Sequence, residues 1–121
     1  MERVCFVEHR GTRILRVDYS GIEDPEELRG VVRMASALVQ NHEPHSLLVL
    51  VDLTGVPHSL VTAAILHQGV AESRPYVRAR AVIGLSPFAA MSFEIAATIF
   101  RNPMASFSDP AEAKDWLLGH A

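Results

Sequence analysis

Cysteine is nearly missing: Cys5 stands alone among 121 residues. That excludes an internal disulfide framework and fits a reducing, cytoplasmic setting. No apolar run approaches the roughly 20 residues that cross a bilayer. The first ten residues, MERVCFVEHR, lack the apolar stretch of a signal peptide. Basic residues are scarce too, eleven Lys and Arg against fourteen Asp and Glu, for a net charge of −3. A dedicated nucleic-acid binder would carry a basic stripe. Arg10, Arg13 and Arg16 do not form one, because the two-residue period of a strand turns neighbours three apart to opposite faces. Phosphate loops, dinucleotide glycine patterns and zinc spacings are absent, so no cofactor or metal is expected. What remains is an ordinary globular composition, long enough to bury one core as a single domain over residues 1–121.

The chain is organised around residues 46–68, SLLVLVDLTGVPHSLVTAAILHQ. The unbroken run Leu47-Leu48-Val49-Leu50-Val51 reads as a strand buried on both faces. Asp52-Leu53-Thr54-Gly55 breaks it, and Pro57 and Ser59 introduce a helix. Before this unit, Val4–His9 and residues 13–18 flank Arg10-Gly11-Thr12 as a hairpin. Asp24-Pro25-Glu26-Glu27 is a helix start, with Asp24 as cap and Glu27 closing a capping box. Leu28, Val31, Val32, Ala35, Leu38 and Val39 then form one helical stripe, ending near residues 41–44.

The helix after Ser59 places Val61, Ala64, Ile65 and Gln68 on one stripe and stops at Arg74-Pro75. Residues 79–85 form the next strand, and Ser86-Pro87 caps another helix. Its stripe of Phe88, Met91, Ser92, Ile95, Ala96 and Ile99 reads as core, with a stop at Asn102-Pro103. Residues 104–107 form a last short strand. Asp109-Pro110 caps a final helix pinned by Trp116 and Leu117. The order β-β-α-β-α-β-α-β-α predicts an α/β fold with a single mixed, mostly parallel sheet.

With these elements in place the chain resembles the STAS superfamily, the anti-sigma-factor antagonist fold. It is most similar to small bacterial STAS/SEC14-like proteins. The resemblance covers nearly the whole chain. It rests on VCFVEHRGTRILRVDYSG, LLVLVDLTGV, AVIGLS and FSDPAEAKDWL. It implies a fold, and partner recognition at the start of the second helix. Phospho-switched members follow D-L-S/T-x-V with D-S-S-G. Here Asp52-Leu53-Thr54-Gly55-Val56 matches the first part, while Leu60-Val61-Thr62-Ala63 replaces the second. Thr62 is the hydroxyl nearest the phospho-acceptor position.

Candidate chemistry is sparse. Ser59 and Thr62 suit a switch or anion site, and equally a helix cap and first turn. Gly84-Leu85-Ser86 imitates a nucleophile elbow, but Phe88 replaces its second glycine and Ser86 precedes Pro87 as a cap would. His42-Glu43-Pro44-His45 is an incomplete ligand set. His58 and His67 are too far round to share one helical face. Asp52 at a strand end reads as an acceptor for the backbone of its own loop. No catalytic residue is assigned.

The expected functional surface lies at the carboxyl ends of parallel strands, where residues 52–59, 85–87 and 107–110 gather and three helices begin. Asp52, Thr54, His58, Ser59, Thr62 and Ser86 border it as binding groups. In the leading expectation they belong to a non-enzymatic interaction module that binds a protein partner or itself as a homodimer. In the alternative the domain carries or senses a small apolar ligand such as a lipid, with Phe88, Met91 and Ile95 near its cavity. A glutamate at position 62 is expected to be tolerated by the helix dipole.

Overall fold

Arg10 and Gly11, with φ of 51° and 81°, turn β1 (Val4–His9) back onto β2 (Thr12–Asp18). Two successive left-handed residues match the twist of a tight antiparallel hairpin. The computed structural model describes residues 2–97 and 103–121. After the hairpin come α1 (Pro25–Val39), β3 (Leu47–Asp52), α2 (Leu60–Ser73), β4 (Val77–Ile83), α3 (Pro87–Ala97), β5 (Met104–Phe107) and α4 (Pro110–Leu118). A short 3-10 turn, Arg74–Tyr76, links α2 to β4. The strands form one sheet in the order β1-β2-β3-β4-β5. Among the described residues only the β1–β2 pair is antiparallel, so β2 joins the parallel set along with the last three strands.

This order explains the layers. Each crossover from β2 to β5 steps one strand in the same direction. Right-handed connections that never reverse put their helices on one face. Accordingly α1, α2 and α3 cover one side of the sheet and α4, which follows the last strand, covers the other. The α4 side is densely packed. Ala79 and Ala81 of β4 let Ala113 and Leu117 sit directly on Ile14, Leu48 and Leu50, and all seven are buried. Trp116 packs at the margin against Phe107, ring centres 5.7 Å apart. On the other side Leu15, Val17, Val49, Leu28, Val31, Val32 and Val39 form the second cluster.

All four helix starts follow their sequence signals, that of α3 through Ser86. Asp24 accepts from Glu26 N (3.2 Å), Ser59 from Thr62 N (3.1 Å) and Asp109 from Ala111 N (3.1 Å). Glu27 does not complete a capping box and instead lies 3.9 Å from Arg3. Two expected stripes are rotated. In α2 the inward side is Thr62, Ile65, Leu66 and Gly69, while Val61, Ala64 and Gln68 are exposed. Gly69 sets this rotation, because an added Cβ there would lie 2.8 Å from Val32 Cγ1 of α1. In α3, Phe88, Met91 and Ile95 are 62%, 55% and 63% exposed and are not core. That helix crosses to the short edge strand β5 and turns Ala89 and Phe93 inward instead. Ile99, Asn102 and the side chains of Ser92 and Ala96 fall outside the described residues.

Asp18 closes β2. Its Oδ1 accepts from Ser20 N at 2.9 Å, and Arg16 and Arg3 lie 3.9 and 4.0 Å away. Partial burial pushes this carboxyl up, but the Ser20 side-chain and backbone hydrogen bonds, then Arg16 and Arg3, outweigh it and hold the group below its ordinary value. A carboxyl lowered on folding stabilises above its unfolded value of about 3.9 and loses that contribution as pH falls. Urea midpoints measured from pH 6 down to pH 2.5 should therefore fall less steeply in Asp18→Asn than in the parent chain.

Candidate functional site

The carboxyl ends of β2, β3 and β4 are knitted into one rim by backbone bonds. Tyr19 N donates to Asp52 O (2.9 Å), Gly21 N to Thr54 O (2.8 Å) and Leu53 N to Ile83 O (2.9 Å). Asp52 Oδ1 accepts from Thr54 N at 2.9 Å and Thr54 Oγ1 at 2.6 Å, a self-contained turn. Gly84 follows β4 at φ 85°, and an added Cβ would overlap the Thr54 backbone and hydroxyl. The β3 and β4 loops thus meet at a point where no side chain fits.

Beneath the rim, between the sheet and α1, α2 and α3, lies a cavity of about 520 Å³. Its walls are chiefly apolar: Val17, Val49, Val51 and Val82 from the sheet, Val32 and Leu66 from the helices. His58, Ser59, Thr62 and Ser86 border it at the rim, whereas Asp52 and Thr54 shape the loop behind and do not line it. Ser59 Oγ caps α2 and donates to Thr62 Oγ1 at 3.1 Å. Ser86 Oγ accepts from Ala89 N at 3.2 Å. The His58 ring meets Phe88 edge-on with centres 5.8 Å apart. His67 also lines the cavity, although no shared helical face with His58 was expected. The loop over residues 107–110 takes no part, since α4 leaves for the opposite face.

Four polar residues absent from the expected site complete the lining: Tyr19, Ser36, Ser73 and Arg80. Arg80 is only 5% exposed. Its Nη2 donates to Ser73 Oγ at 2.6 Å, and Ser73 Oγ in turn donates to Gly69 O at 2.8 Å. Among the described residues no carboxylate pairs with it. Burial lowers its pKa to about 10, partly offset by Tyr19, and leaves it charged at neutral pH. Burial likewise pushes the Tyr19 phenol up to about 12. The signal was present in Val77-Arg78-Ala79-Arg80-Ala81-Val82-Ile83, where a strand buried on both faces should hold no charge. Among the described residues no three His, Cys, Asp or Glu side chains gather as a metal site requires. His42 Nδ1 lies 3.1 Å from Leu38 O, tied to its own helix end.

No family model matches the chain, and no curated protein matches it. Solved structures do. An uncharacterised protein of the DUF3478 family with a SpoIIAA-like fold, from Shewanella loihica PV-4, is 16% identical with a TM-score of 0.78, over 94% of this chain and 91% of that one. An anti-sigma-factor antagonist (STAS) domain protein from Planctomyces limnophilus is 15% identical with a TM-score of 0.59, over 97% of each chain. These likenesses establish the SpoIIAA-like, STAS-type fold.

Thr62 is 9% exposed and faces the cavity, which reverses the expectation that a glutamate is tolerated there. A carboxylate at that position loses water and meets apolar walls. Thr62→Glu should lower stability by roughly 2 kcal/mol or more. Thr62→Val, which keeps the shape, should stay within about 1 kcal/mol of the parent, and Ser59→Ala should cost about 1 kcal/mol as a lost cap. Urea unfolding of the three variants separates these outcomes.

Proposed function

We propose that this SpoIIAA-like domain is a non-enzymatic binding module whose cavity takes a small, largely apolar molecule of lipid character. The cavity carries the reading. Close-packed interiors leave few voids larger than a water molecule, whereas about 520 Å³ falls within the range of small-molecule sites. Apolar walls with a few polar groups at the rim and floor are the usual construction of such sites. The resemblance to SEC14-like proteins points the same way. Freshly purified protein should retain a small-molecule mass in native mass spectrometry and should take up the apolar dye Nile red. Leu66→Trp, which fills the cavity from α2, should lose both. Protein that arrives bare and binds neither Nile red nor a fatty acid refutes the reading.

A second reading rests on a separate observation. Leu60 and Val61 at the start of α2 are 90% and 50% exposed, and Phe88, Met91 and Ile95 of α3 are exposed as well. Exposed large apolar side chains favour interaction surfaces. These five suit a protein partner or a second copy of the chain. Sedimentation at micromolar concentration should show a dimer that Phe88→Asp disperses. A monomer insensitive to that change removes the self-association reading.

A further inference from the structure

The cavity has a charged floor that its own chain does not neutralise. Arg80 leaves β4 three residues before the strand ends, roughly 13 Å along the strand from the Gly84 rim at about 3.3 Å per residue. It is nine-tenths buried and lines the cavity. Ser73 takes one of its N–H donors, and no acidic group among the described residues balances its charge. The paired arginines of this protein behave differently. Arg3, Arg10, Arg16 and Arg29 each sit within 4.0 Å of an Asp or Glu at the surface or in half-buried positions. A buried guanidinium without a counter-ion carries a desolvation cost that a hydrophobic residue of similar size would not.

We infer that Arg80 is a ligand-binding residue, and that the cavity takes a monoanionic amphiphile, a fatty-acid-type carboxylate, with its carboxylate on Arg80 and its chain along the apolar walls. The inference rests on the cavity reading above and names its ligand class. One positive charge calls for one negative charge. A phosphate monoester brings about two and would leave a buried excess. The flat guanidinium fork suits a carboxylate's two oxygens, and Arg80 retains N–H donors after the Ser73 bond. Between this floor and the rim groups His58, Ser59 and Ser86, the walls are chiefly valines and leucines, with Tyr19, Ser36, Thr62 and His67 as polar side chains among them. The apolar side chains among them accept a hydrocarbon chain.

Isothermal titration of the full chain with decanoate and with 1-decanol tests the assignment. These probes share a chain and differ in the charged end. Decanoate should bind the parent protein at least tenfold more tightly than 1-decanol. Arg80→Met should remove that preference, chiefly by weakening decanoate. Arg80→Lys keeps the charge without the fork and should retain part of the preference. Ligand-free Arg80→Met should also have a higher urea midpoint than the parent, whereas an arginine placed for stability would lower it. Equal affinities of the parent for the two probes, or a preference that survives Arg80→Met, overturns the charge assignment and leaves the apolar cavity standing. Binding of neither probe, with no Nile red uptake, overturns both.

Discussion

Everything on the functional side follows from the handedness of three successive crossovers. Because β2, β3, β4 and β5 are laid down in spatial order, α1, α2 and α3 must share one face. The opposite face is left to α4, a helix with nine residues. The two layers solve their packing differently. Ala79, Ala81 and Ala113 let α4 approach closely and fill its side. On the other side Gly69 draws α2 against Val32 of α1, so that α2 leans on its neighbour helix rather than settling onto the centre of the sheet. The cavity is the space this leaves over β3 and β4.

The same geometry accounts for the rim. Four parallel strands end on one side, and their loops carry polar groups that cannot all point to water. Asp52 satisfies Thr54, and Ser59 and Ser86 satisfy the first turns of α2 and α3. Most of the polar chemistry there is consumed by structure. Arg80 lines the cavity with most of its hydrogen-bonding capacity unused within the chain, and it stands at the floor rather than the rim.

How much of this could be read from sequence divides along a physical line. Element order and most boundaries were legible because they rest on local signals, although the strand expected over residues 79–85 runs Val77–Ile83. The runs in β1 and β5, and the Asp-Pro pairs at 24–25 and 109–110, place their elements to within a residue. Rotation of a helix about its axis was not. Val61, Leu60 and Ile65 are all apolar, so periodicity does not decide which turn inward. The contact of Gly69 with Val32 decides it, and that contact joins residues 37 apart in sequence. The α3 stripe failed for a related reason. An apolar helix is core only where another element covers it, and β5 is a four-residue edge strand with little width to offer.

Arg80 shows where local rules yield to a site. A charge in the middle of a strand buried on both faces contradicts the apolar pattern around it, and its neighbours offer a hydroxyl in place of a carboxylate. Proteins break such rules chiefly where function requires it, and offset the cost elsewhere. Here the dense α4 face is the natural compensation: Leu117, Ala113 and Ile14 are all fully buried there without a polar atom among their side chains. Both faces of the sheet carry a buried apolar cluster. On the α1 and α2 side that cluster surrounds a cavity with one buried charge, Arg80, at its floor.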